Sequence, residues 1–137
     1  MNYRIATVAD GPLLAEMNQS LIRDEGHRNP MSLVELEVRM AGWITGEYTA
    51  VLVEDDGTAI GYALFHDGPE FSYLRQFYVR PEQRRQGIGR AAIDWLRENA
   101  WPSSKPVRLD VLIGNRPAIA FWRAVGFQDY CQTMEFK

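Results

Sequence analysis

The 137-residue chain predicts an α+β domain built on a mixed β-sheet flanked by helices. Three observations lead there. Apolar residues first recur at helical spacing in two successive segments. The period then switches to short β-branched and aromatic runs separated by Gly- and Pro-containing turns. Finally, helix-like and strand-like segments alternate to the end of the chain.

The order of elements reads β-α-α-β-β-β-α-β-α-β. Residues Tyr3 to Val8 are strand-like. Ala9 to Gly26 then read as a helix, with Asp10 as cap, Pro12 in the first turn, and Leu14, Met17 and Leu21 on one face. The second helix, within Met31 to Ile44, opens with a capping box. Ser32 and Glu35 supply its S-x-x-E, and Met31 and Leu36 are placed to make a hydrophobic staple. Leu36, Met40, Trp43 and Ile44 form its apolar stripe.

Tyr48 to Glu54 and Ala59 to His66 flank the turn DDGT and read as a hairpin. After a second turn, DGPE, Phe71 to Val79 form an aromatic-rich strand. A helix starts near Gly87, where Ile88, Ala91, Ala92, Trp95 and Leu96 make a core-facing stripe. Val107 to Ile113 is a strand. Asn115 to Gly126 is a short helix, with Asn115 as cap and Gly126 as stop. Phe127 to Phe136 reads as a closing strand. The single β-α-β crossover makes its two strands parallel.

Composition bounds the function. The chain is 46% hydrophobic, 24% charged and has net charge −3, as an ordinary soluble domain does. A dedicated nucleic-acid binder is normally basic, so no nucleic-acid partner is expected. No apolar run approaches a membrane span and no leader precedes the first strand, so a cytoplasmic protein without a membrane partner is expected. The one cysteine, Cys131, has no CxxC partner, and the two histidines, His27 and His66, are far apart; no metal site is expected.

Against this acidic background, RPEQRRQGIGRAA (80–92) gathers four arginines around a Gly-x-Gly where a helix begins. The first N–H groups of a helix have no partner within it, and its dipole favours an anion there. Gly87 and Gly89 remove side chains that would block a phosphate, and the arginines add charge. Three readings stay open on these residues. One is a solvated arginine turn. A second is a dinucleotide fingerprint, since GIGRAA fits G-x-G-x-x-A with Asp110 downstream, although RPEQRRQ separates the strand from the glycine. The third is a pyrophosphate site for a non-nicotinamide ligand.

The block LRQFYVRPEQRRQGIGRAA (Leu74 to Ala92) resembles the GCN5-related N-acetyltransferase (GNAT) superfamily, whose motif [RQ]-x-x-G-x-[GA] falls here on Arg84, Gly87 and Gly89. A second block, NRPAIAFWRAVGF (Asn115 to Phe127), is similar to that family's N-x-x-A-x-x-F-[YW]-x-x-x-G-F ending. The resemblance implies a single GNAT-like domain over residues 1–137. It implies an N-acetyltransferase that moves an acetyl group from acetyl-CoA to a primary amine by direct attack. The pyrophosphate would lie on the backbone of Arg85, Gln86, Gly87, Ile88, Gly89 and Arg90, next to Arg84. The pantetheine arm would pair with the strand edge at Phe77, Tyr78 and Val79, flanked by Asn115, Phe121 and Trp122. That strand would carry a bulge and splay from the next, with the thioester in the gap.

Catalytic expectations follow from the same resemblance. The backbone N–H of Tyr78 or Val79 is the oxyanion donor. Trp122 stands where many members carry an acidic tyrosine; an indole N–H cannot serve as that acid, so packing is its expected role. Tyr130 is the substitute acid. Glu25, with Asp24 and His27 in the same loop, is the candidate base, and Asp110 is a further carboxylate. Tyr73, Arg75 and Gln76 are expected to line the acceptor pocket. The acceptor is a small-molecule amine or a peptide, and the family commonly forms homodimers. A different class of function, an acyl-CoA-binding sensor without chemistry, is the alternative.

Overall fold

The computed structural model describes residues 1–26 and 28–137; His27 lies outside the described residues. The strands are β1 (Asn2–Ile5), β2 (Tyr48–Asp55), β3 (Thr58–Asp67), β4 (Ser72–Val79) and β5 (Val107–Arg108). They form one sheet in the order β1-β2-β3-β4-β5. Neighbours among the first four are antiparallel, and β5 runs parallel to β4. The helices are α1 (Gly11–Glu25), α2 (Leu33–Thr45), α3 (Ile88–Asn99) and α4 (Arg116–Ala124).

Both faces of the sheet are buried, which explains the continuous apolar run of β2. Ala50 and Leu52 join Leu14, Met17 and Met40 on the α1–α2 side. Val51 and Val53 alternate to the other side, where Ile93, Leu96, Ile88 and Ala92 of α3 cover them. A fully buried side chain such as Leu52 stabilises the fold by roughly 1.5–3 kcal/mol.

Local chemistry sets the element ends. Ser32 Oγ accepts from Glu35 N–H at 3.2 Å while Glu35 accepts from Ser32 N–H at 2.9 Å, completing the capping box. Asp56 and Gly57, at φ 52° and 77°, make the tight β2–β3 turn. Asp10 differs from its expected capping role. Its carboxylate accepts from Thr7 N–H at 2.8 Å and from both terminal nitrogens of Arg4 at 2.9 and 3.0 Å. It therefore ties β1 to the start of α1.

Three strands also differ from expectation. The first ends at Ile5, and Val8 instead opens a short 3-10 turn over Val8–Asp10. The strand expected over 107–113 pairs only at Ser72–Val107 and Tyr73–Arg108. Beyond Arg108 the chain makes no further ladder pair with β4, and Leu112 O instead accepts from Asn115 N–H at 2.9 Å in the turn before α4. The closing strand expected over 127–136 forms no ladder. Side chains hold that segment instead: Arg108 donates to Tyr130 Oη at 2.9 Å, and Arg28 pairs with Glu135 at 2.9 Å.

Candidate active site

β4 carries the feature that opens the site. Leu64 pairs with Gln76 and Phe65 with Leu74, so Arg75 is an extra, bulged residue. The implied bulge and the implied divergence of the next strand are both present. At the divergence Tyr73 Oη donates to Asp110 Oδ2 at 2.7 Å, a side-chain bridge where the ladder has ended. Burial, then the Asp110 bond, pushes the Tyr73 hydroxyl above its ordinary pKa, so it stays a proton donor.

Past the bulge, the edge of β4 facing β5 has no strand partner. Arg80 N–H donates to Ile60 O on β3 at 2.8 Å. By alternation Tyr78 also directs its backbone toward β3, while Phe77 and Val79 direct theirs toward the open edge. Of the two expected oxyanion donors, Val79 therefore has the outward N–H. The Tyr78 side chain is buried against the α1–α2 side.

The edge leads into the glycine-arginine turn. Gly87 caps α3 at φ 77° and Arg85 sits at φ 65°, a left-handed conformation uncommon for a side-chain-bearing residue. The first α3 amide to find a backbone partner is Ala91, donating to Gly87 O at 3.0 Å. No side chain caps the helix. The N–H groups of Ile88, Gly89 and Arg90 are thus left for an anion, a donor set that fits a pyrophosphate.

The four arginines divide the work. Arg80 pairs with Glu16 at 3.0 Å. Arg84 donates to Val79 O at 2.8 Å and pairs with Asp24 at 2.6 Å, its guanidinium 5.6 Å from the Tyr78 ring centre. Arg90 donates to Ala124 O at the end of α4 at 2.6 Å. Among the described residues Arg85 is the one of the four whose own side chain makes no hydrogen bond or ion pair, and it is exposed. Gln86 is exposed and donates to Glu82 O at 3.4 Å. Ile88 is buried core.

Beside this turn lies a cleft of about 600 Å³, lined by Asp24, Glu25, Leu112, Ile113 and Asn115 among others. It brings the expected base Glu25 to the expected pantetheine-flanking Asn115, whose Oδ1 also caps α4 by accepting from Ala118 N–H at 3.3 Å. Tyr130 is not among the residues around this cleft. It lines a separate cavity with Arg108, Trp101 and Phe127.

Phe121 and Trp122 belong to an aromatic cluster with Phe77 and Phe127. The Trp122 ring centre is 5.5, 4.9 and 5.3 Å from those of Phe77, Phe121 and Phe127. Packing is the role its position gives it.

A family model described as "Acetyltransferase (GNAT) family" matches residues 14–127. The chain belongs to the GNAT acetyltransferase family. It is 31% identical over 74 residues to peptidyl-lysine N-acetyltransferase YiaC of Escherichia coli K12, a match spanning 54% of this chain and 46% of that protein. The GNAT fold is shared along the whole chain with solved structures. A possible acetyltransferase from Clostridium difficile 630 superposes with a TM-score of 0.84 at 15% identity, covering 99% of this chain and 95% of the other. A "predicted acetyltransferase with acetyl-CoA" from Clostridium acetobutylicum gives 0.76 at 23% identity, over 99% and 95%. An aminoglycoside antibiotic 6'-N-acetyltransferase from Acinetobacter haemolyticus gives 0.77 at 19%, over 100% and 97%.

Within this GNAT domain the sequence reading missed two features. One is the Arg84–Asp24 pair, which directs a motif arginine inward. The other is Arg39, which lies three residues after Leu36 and four before Trp43. That spacing puts it beside the apolar stripe of α2, and was the available signal.

Proposed function

We propose that the protein is an N-acetyltransferase that moves an acetyl group from acetyl-CoA to a primary amine. The observation that carries this reading is the continuity of three features: a bulged β4 whose free edge faces a diverging strand, an uncapped α3 N-terminus at the end of that edge, and a carboxylate-bearing cleft beside both. Pyrophosphate would be held by the amides of Ile88 to Arg90 with Arg85, and the pantetheine by the edge at Phe77 and Val79.

The chemistry is a direct transfer. Glu25 attracts the acceptor ammonium and takes its proton. The amine nitrogen then attacks the thioester carbonyl, forming a C–N bond. Val79 N–H stabilises the oxyanion. Collapse breaks the C–S bond, and the CoA thiolate leaves and takes a proton from water. The second amine proton is lost to solvent, leaving an amide and CoA.

Thermal unfolding with acetyl-CoA, NADH and ATP tests the donor. Acetyl-CoA alone should stabilise the protein, by about 2.7 kcal/mol at one hundred times its dissociation constant. Release of CoA thiol across an amine and peptide panel tests the transfer. In that assay Glu25→Gln should lower turnover while acetyl-CoA stabilisation persists. Stabilisation without thiol release from any amine would favour the acyl-CoA sensor instead.

A further inference from the structure

We propose that Arg39 and Arg75 form a carboxylate-receiving site next to the reaction gap, so that the acceptor is a small amine bearing a carboxylate a few carbons from its nitrogen. This deepens the acetyl-transfer reading and rests on it for the position of the amine.

Arg75 is the bulged residue of β4. Its guanidinium lies 4.8 Å from the Trp43 ring centre and donates to Tyr48 Oη at 3.4 Å. The Arg39 guanidinium lies 4.5 Å from the same ring. Two cations therefore share one indole. Among the described residues neither is in an ion pair, whereas Arg4, Arg28, Arg80, Arg84 and Arg123 each have a carboxylate partner.

The nearby carboxylates are engaged with other groups, and among the described residues they pair with neither guanidinium. Asp110 already accepts from Tyr73, Glu47 pairs with His66 at 3.2 Å, and Gln76 accepts from Tyr62 Oη at 2.8 Å. Arg39 donates through Nη2 to the neutral Asn18 at 3.1 Å, and its Nε is buried with no partner. Burial and then the charge of Arg75 disfavour the charged form of Arg39. Guanidinium groups offer only donors, in a fork that matches a planar carboxylate. What the site lacks is an anionic acceptor of two or more hydrogen bonds.

Position limits the ligand. Arg75 precedes Val79, whose N–H is the proposed oxyanion donor, by four residues, which along a strand is about 13 Å, and the arginine side chain can reach across part of that span. An amine at the β4–β5 divergence and a carboxylate at Arg75 can therefore belong to one short ω-amino acid.

The test compares β-alanine and 4-aminobutanoate with their carboxamides as acceptors. The acids should show kcat/KM about tenfold or more above the amides. In Arg75→Gln, whose side chain is exposed and outside the core, that ratio should fall toward one. Equal rates for acids and amides in the unaltered protein would overturn the site. Binding is read separately from turnover by calorimetry, with N-acetyl-β-alanine and its carboxamide added to the CoA-bound protein. Tighter binding of the acid without any turnover would support the site and sink the transfer reading. Equal affinity would sink the site whatever the turnover.

Discussion

Phe121 of α4 closes directly over Gly89 of α3. A Cβ on Gly89 would lie 3.0 Å from two carbons of the Phe121 ring. That ring in turn lies nearly parallel to Phe77 on β4, at 6.0 Å between centres and 11° between planes. The second motif glycine thus serves contact between helices and, through Phe77, the strand edge. Gly89→Ala should gain up to ~1 kcal/mol of helix propensity and lose about 1–3 kcal/mol to overpacking. A net loss near 1 kcal/mol in urea unfolding is expected, with weaker acetyl-CoA stabilisation as Phe121 is displaced.

Gly61 on β3 is under a harder constraint. A Cβ there would fall inside contact distance of the Tyr78 carbonyl oxygen, with the rest of the peptide close behind. The obstacle is backbone, which cannot rotate away. Gly61→Ala should cost more than about 2 kcal/mol in chemical denaturation. It should cost more than Gly89→Ala, where a side chain can give.

Arg85 and Arg84 should separate in kinetics. Arg85 is free to meet an anion, while Arg84 is bound to Val79 and Asp24. Arg85→Ala should raise the KM for acetyl-CoA about three- to tenfold with little change in Tm, and added salt should narrow the difference. Arg84→Ala should lower Tm as well, because it releases α1 from the turn.

The Asp10–Arg4 bond has a pH signature. Its hydrogen bond to Arg4 first of all holds the Asp10 carboxyl below its ordinary value of 3.8. A depressed folded-state pKa contributes stability above the unfolded pKa and loses it as pH falls through the folded one. Asp10→Asn should therefore destabilise the protein by about 1 kcal/mol at pH 7. Unfolding curves of the two forms should converge as the pH falls below 3.8 and through the lowered folded-state pKa.

The order of elements up to α4, the capping box at Ser32 and the turn at Gly57 were legible because each rests on neighbours in sequence. The strand at 107–113 was not. Its alternation is real, but a strand needs a partner, and whether β4 stays beside it depends on the bulge at Arg75. The candidate site was legible in the same measure. Gly87 and Gly89 announce the uncapped start of α3. Which arginine faces outward depends on Asp24, 60 residues away. The paired cations on Trp43 come from two distant segments, with only the Arg39 spacing hinting at them.

Arg84 fastens the glycine-arginine turn to both β4 and α1 through groups that belong to the protein itself. The turn then has its shape before any donor arrives, and little chain ordering remains for the encounter. Association should follow a single exponential whose rate rises linearly with donor concentration, without the plateau that marks a slow isomerisation. In Asp24→Asn, with one fastening removed, a second and concentration-independent phase should emerge in stopped-flow traces.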